Sequence, residues 1–247
     1  MSNDPEQEYF SDGMAEEILN SLSHLKDLKV AGYCFNSGLA IMKDVKQAAE
    51  TAIKLDDTLG ETYCALATYC LMEWDWGGAK KNYRKAIELN PKYTQAHSLF
   101  GMLYLAFIEG NFEEAENQGL IAIRQEPFSA IDQADLAWSL LIAHKFDEAI
   151  AFAQTGIELD SNSFLSHRIA GLCYITLKHY EKAIATFKNL ISFSNRNQLA
   201  VTGVIWAYCS NGNFDEARVL MNELEQRAKK EYIAKTQLGL SAAYLGI

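Results

Sequence analysis

The side chains that could carry acid–base, nucleophilic or metal chemistry are few and poorly spaced for it. Histidines stand at positions 24, 97, 144, 167 and 179. No two of them are four residues apart, so no helix offers a histidine pair to zinc. Cysteines stand at 34, 64, 70, 173 and 209, an odd number without a C-x-x-C pair. That pattern fits reduced thiols better than a zinc site or a disulfide framework. The carboxylate pairs Glu113-Glu114 and Asp147-Glu148 fall where helices are expected to begin, and there the helix dipole favours acids. No G-x-x-x-x-G-K-[ST], G-x-G-x-x-G or G-x-S-x-G is present, so phosphate cradles and a nucleophile elbow are absent from the sequence. The chain reads as a non-enzyme with no catalytic residues, no metal and no cofactor.

The elements that position the remaining residues must therefore carry the function. The chain has 247 residues, of which 49% are apolar and 22% charged. That is enough to bury a core, and it excludes a disordered polymer. Its three prolines, Pro5, Pro91 and Pro127, favour helices over a turn-rich β fold. A net charge of −10 disfavours phosphate backbones and anionic lipid, so neither nucleic acid nor membrane is expected as a partner. The opening MSNDPEQEYF has neither the basic nor the apolar region of a signal peptide, and no apolar run reaches the roughly 18 residues of a membrane span. A cytoplasmic location is expected.

The middle of the chain repeats. Ala79, Tyr83, Ala86 and Pro91 recur as Ala115, Gly119, Ala122 and Pro127, then as Ala149, Ala153, Gly156 and Ser161. Ala183, Phe187, Leu190 and Asn195 follow, and Ala217, Met221, Leu224 and Lys229 close the series, at steps of 36, 34, 34 and 34 residues. The first half of each unit repeats too, in the pairs Leu66-Ala67, Phe100-Gly101, Leu136-Ala137, Ala170-Gly171 and Val204-Ile205. An aromatic precedes each second half: Trp76, Phe112, Phe146, Tyr180 and Phe214. Small residues let paired helices approach closely, and large ones fill the space between units. Tyr83, Phe112, Phe146, Tyr180, Phe187 and Phe214 are accordingly read as interior packing. Gly110-Asn111 and Asn211-Gly212-Asn213 signal turns, and Pro91 and Pro127 end helices. The longer step of 36 residues arises in LAFIEGN, which is expected to lengthen a turn.

This pattern resembles the tetratricopeptide (TPR) consensus over about residues 58–229. The resemblance implies an all-α TPR α-solenoid, a right-handed superhelix of antiparallel helix pairs, with helices A and B in each unit. Residues 44–57 read as a lone helix B, and Gln237–Leu245 as a lone helix A with Leu240 and Tyr244 in signature places. The first 31 residues resemble the start of the TolB-like amino-terminal domain of bacterial TPR proteins, and the middle of the chain also resembles those proteins, notably at Glu73-Trp74-Asp75-Trp76 in the turn of the first full repeat. The rest of that domain is missing after Val30. Met14–Leu25 is expected to be a helix capped by Ser11 or Asp12, with Ile18, Leu22 and Leu25 on one face. The expected organisation is a TolB-like remnant at 1–35 and a TPR array at 36–247. That array comprises a half repeat at 36–57, five full repeats at about 58–229 and a final helix at 230–247.

The resemblance also implies that helix A lines the concave face, with the residue after each small position in the groove. Those residues are Thr68, Met102, Trp138, Leu172 and Trp206. Three positions on lie Leu71, Leu105, Leu141 and Ile175, and Arg168 is the only residue resembling the basic clamp that holds acidic chaperone tails. The expected groove is apolar, and its expected ligand is a protein or peptide with an apolar or amphipathic segment. The resemblance extends to a regulatory or sensing part of a bacterial signalling protein. The alternative reading is a structural module that forms homo-oligomers by stacking open half-repeats.

Overall fold

The computed structural model describes residues 38–246, and the helix expected at Met14–Leu25 lies outside them. The described residues form helices without strands. These are α1 (Gly38–Leu55), α2 (Gly60–Met72), α3 (Trp76–Leu89) and α4 (Thr94–Leu99). They are followed by α5 (Phe112–Gln125), α6 (Ala130–Ile142), α7 (Phe146–Leu159) and α8 (Phe164–Thr176). The series ends with α9 (Tyr180–Phe193), α10 (Gln198–Ser210), α11 (Phe214–Arg227) and α12 (Lys235–Leu245). The chain divides into two compact units, one ending at Ala96 and one beginning at His97. In the first, α2 packs against α1 and α3; in the second, each helix from α5 to α11 packs on its sequence neighbours.

Local chemistry sets the helix ends. The Asp75 carboxylate accepts the Gly78 N–H at 2.9 Å and caps α3. Asn111 does the same for Glu114 in α5, and Ser129 for Asp132 in α6. α3 and α5 stop at Leu89 and Gln125, two residues before Pro91 and Pro127, because the residue before a proline is pushed out of the helical region. The lone helix expected at 44–57 begins earlier, at Gly38.

The two extra residues of the longer repeat do not lengthen a turn. They are absorbed in a π-helix, Phe100–Glu109, that continues α4. The Gly110 and Asn111 N–H groups both donate to the Leu105 carbonyl where it ends. After Gly101, the run MLYLAFI contains no turn-forming residue until Gly110. Phe100, Met102, Tyr104, Leu105 and Ala106 are all buried, so widening the helix keeps an apolar strip inside where ending it early would expose one.

Each turn between a helix and its pair partner holds one residue in the left-handed region. Trp74, Gly110, His144, Lys178 and Gly212 have φ of 62°, 65°, 61°, 62° and 83°. They follow the repeat spacing. Trp74 is 69% exposed, with its ring 5.3 Å from that of Trp76.

The units interlock by setting large side chains against small ones. Phe187 of α9 has no exposed surface. Its ring lies between Gly171 of α8 and Gly203 of α10, and a Cβ on either glycine would come within 3.0 Å of it. Gly119 of α5 receives Leu136 of α6 in the same way. Burying a phenylalanine fully stabilises the fold by about 1.5–3 kcal/mol. Tyr83 is also fully buried in the first unit. Phe112 and Phe214 depart from the expected interior role, being 39% and 44% exposed. As first residues of α5 and α11 they leave much of the ring in solvent.

The turn geometry predicts opposite effects at two equivalent positions. Nothing lies within 4 Å of a Cβ built on Gly212, so Gly212→Ala tests backbone strain alone and should cost about 1 kcal/mol. Lys178→Gly should stabilise by up to about 1 kcal/mol, offset in part by the flexibility of glycine in the unfolded chain. Urea unfolding checks both, and a gain for Gly212→Ala would refute the reading.

Candidate functional site

In the second unit α6, α8 and α10 are the first helices of successive pairs, and each touches the next. The close approach at Gly171 and Gly203 holds this row together. The residues that follow the small positions, Trp138, Leu172 and Trp206, are half-buried and keep part of their surface accessible. Each also rests on the core: Trp138 against the cluster around Leu140 and Ile169, Leu172 and Trp206 against that around Phe187 and Val204.

Arg168 of α8 sets its guanidinium carbon 4.9 Å from the centre of the Trp138 ring on α6. That is cation–π range, and it holds both side chains at the surface. Trp206 stacks on Tyr244 of α12, with ring centres 5.0 Å apart and planes at 7°. Leu141 is half-buried beside Trp138. The sequence singled out Trp138 by position and Arg168 by its charge, and the structure brings them into contact. The role of Tyr244 was not legible, because nothing in the repeat pattern says that the last helix covers the preceding indole.

Four of the expected groove residues are interior. Leu105, Ile175 and Leu71 retain only 2%, 5% and 7% exposure, and Met102 of the π-helix retains 9%. Three positions along a helix is about 60° short of a full turn. That rotation carries Ile175 into the packed layer, whereas Leu141, at the same offset from Trp138, stays half-buried, and Leu105 is buried with Met102 in the π-helix. Thr68, in the first unit, is half-buried, and its hydroxyl lies 3.1 Å from both the Cys64 carbonyl and the Tyr83 hydroxyl. It buttresses Tyr83.

One turn before Trp138, α6 carries two buried carboxyl groups. Asp132 accepts a hydrogen bond from the Ser98 hydroxyl. Asp135 is 4% exposed. Burial, with the nearby Asp132 charge as a second cause, pushes the Asp135 carboxyl up to about 8. It is therefore mostly protonated at neutral pH. Among the described residues no three His, Cys, Asp or Glu side chains converge to hold a metal, and no helix is long and apolar enough to cross a membrane.

Residues 169–197 match the family model described as tetratricopeptide repeat. No curated protein sequence matches the chain. Solved structures share its fold. The chain is similar to PilF of Pseudomonas aeruginosa, with a TM-score of 0.66 and 16% identity over 94% of this chain and 96% of that one. A thermophilic TPR protein of Thermus thermophilus superposes with a TM-score of 0.65 and 16% identity, over 76% of this chain and 100% of the other. YrrB, described as a TPR protein with an unusual peptide-binding site, gives a TM-score of 0.54 and 17% identity over 82% of this chain and 100% of YrrB. At these identities the likeness is one of fold. The fold is an all-α TPR solenoid, as the spacing of the repeats implied.

The buried acid has a consequence for stability. An unfolded aspartate titrates near pH 4, whereas Asp135 in the fold titrates near 8. Between those values the folded chain holds a proton that the unfolded chain releases. Its contribution is thus fully present below about pH 4 and is lost as pH rises through about 8. Asp135→Asn should flatten the fall in stability across this window and raise the Tm at pH 8. Calorimetry from pH 4 to 8 checks this, and parallel profiles for the two proteins would contradict it.

Proposed function

We propose that this chain is a protein-binding scaffold and that the exposed strip of α6, α8 and α10 takes an apolar or amphipathic segment of a partner. One observation carries the reading. Two indoles and a leucine occupy equivalent positions in the first helices of three successive pairs, half-buried with part of each surface accessible. Tryptophan is enriched among the residues that dominate binding energy, and a row of apolar anchors suits a helix laid along it. Trp138, Leu141, Arg168, Leu172 and Trp206 would contact the ligand. Met102, Leu105 and Ile175 would support them from beneath, while Thr68 and Leu71 belong to the first unit. The peptide-binding description of YrrB supports the general role. The proposal extends to a regulatory or sensing part of a bacterial signalling protein, on the resemblance of the first 31 residues and the Glu73–Trp76 turn.

A second reading, self-association through open half-repeats, has its own support. Gly239 of α12 has nothing within 4 Å of a Cβ, whereas the corresponding Gly171 has the Phe187 ring there. Leu240 beside it is 45% exposed. A single mass in light scattering across micromolar concentrations would set this reading aside.

The binding strip is tested with peptides selected from a displayed library of amphipathic helices. Trp138→Ala should weaken the selected peptides by at least about tenfold, the scale of a truncated hot spot. Trp206→Phe keeps a ring to stack on Tyr244 and should have a smaller effect. Helical circular dichroism should be unchanged in both. Undiminished affinity for Trp138→Ala would sink the proposal.

A further inference from the structure

The charge of α3 sets it apart from the other second helices of the pairs. α5, α7, α9 and α11 begin with acids, namely Glu113-Glu114, Asp147-Glu148, Glu181 and Asp215-Glu216. α3 has Gly77-Gly78 there and no acid in its first turn. It then places Lys80, Lys81, Arg84 and Lys85 within a turn and a half, with Glu88 as its only acid. Lys80 with Arg84, and Lys81 with Lys85, are like-charge pairs four residues apart, an arrangement that destabilises a helix. It occurs in a chain whose net charge is −10. Stability of the fold does not account for this clustering.

Local partners do not neutralise Lys81 and Arg84. Lys85 meets Glu88 at 3.1 Å in a pair that is exposed on both sides, so solvent screens it. Lys81 and Arg84 make no ion pair or hydrogen bond among the described residues. With Lys80, Lys85, Asn82, Glu88 and Tyr63 of α2, they line an open cleft of about 650 Å³. A concave surface with several cations and a phenol is suited to an anionic ligand.

We propose that this face of α3 is a docking surface for an acidic polypeptide segment of a partner protein, a run of aspartate and glutamate. The cations from Lys80 to Lys85 extend about 7–8 Å along the helix, a span that successive side-chain carboxylates can match. Three of the four are lysines, which act as point charges. The forked geometry that grips a phosphate from two sides is available only at Arg84. The negative charge of the whole chain also repels a long polyphosphate, while a short acidic segment can reach a local positive face. This surface differs in chemistry from the apolar strip and lies in the first unit, so the two proposals stand or fall separately.

The test is fluorescence anisotropy of a labelled dodecapeptide of Asp and Glu with the full chain. A Gln and Asn peptide of equal length and a single-stranded oligonucleotide serve as further probes. The acidic peptide should bind, and its affinity should fall as salt rises. Lys81→Ala combined with Arg84→Ala should weaken it at least about fivefold. Lys182→Ala combined with Lys188→Ala on α9 changes net charge equally and should leave it within about twofold. Equal losses for both double variants, absence of binding, or tighter binding of the oligonucleotide would each overturn the proposal. So would binding that emerges only when the acids from Asp4 to Glu17 are replaced by amides. That result would assign the surface to this chain's own amino-terminal segment.

Discussion

Phe187 has no exposed surface and has a glycine on each side of its ring. Gly171 belongs to the preceding helix and Gly203 to the following one, so a single aromatic side chain fixes the spacing of α8, α9 and α10. Any other residue at either glycine would put an atom where the ring already is. The same device recurs with other residues, as Leu136 against Gly119 and as the Ala115 carbonyl against Gly101. In the first unit Gly60 meets the Ala86 carbonyl. Dispersion and burial reward contacts this tight only while the small partner stays small. The exposed strip depends on it, because the residues that follow the small positions are presented in a row only while the helices stay close.

Much of this was legible in the sequence. The recurrence of small residues at steps of 34 marked the helix crossings, and Pro91 and Pro127 marked helix ends. Gly110 and Gly212 announced left-handed turns. Trp74, His144 and Lys178 adopt the same backbone without a residue type that asks for it, so only the repeat spacing could have found them. The π-helix was hidden for a related reason. A two-residue insertion can enter a turn or a helix, and the choice falls to the burial of Phe100 through Ala106, which is a tertiary matter.

The placement of the first-helix side chains was legible in part. The position after each small residue does lie on the accessible strip at Trp138, Leu172 and Trp206. The position three further on is buried at Leu105 and Ile175 but only half-buried at Leu141, a difference set by the neighbouring helices. Contacts between units were beyond reach. Neither the Arg168 stack on Trp138 nor the Tyr244 stack on Trp206 follows from a periodic pattern. The burial of Asp135 beside a second carboxyl depends on the neighbouring helices and was not legible. The result is a helical array with tight packing underneath and a thin layer of partly accessible side chains above it.

The packing account can be tested at its centre. Gly203→Ala adds one methyl group against the Phe187 ring, which Gly171 already confines from the other side. Urea unfolding followed by far-ultraviolet circular dichroism should show a loss of about 2 kcal/mol, in the range of an overpacked core. Stability within about 0.5 kcal/mol of the parent, the range of an ordinary surface substitution, would show that the helices have room to spare and would contradict the account.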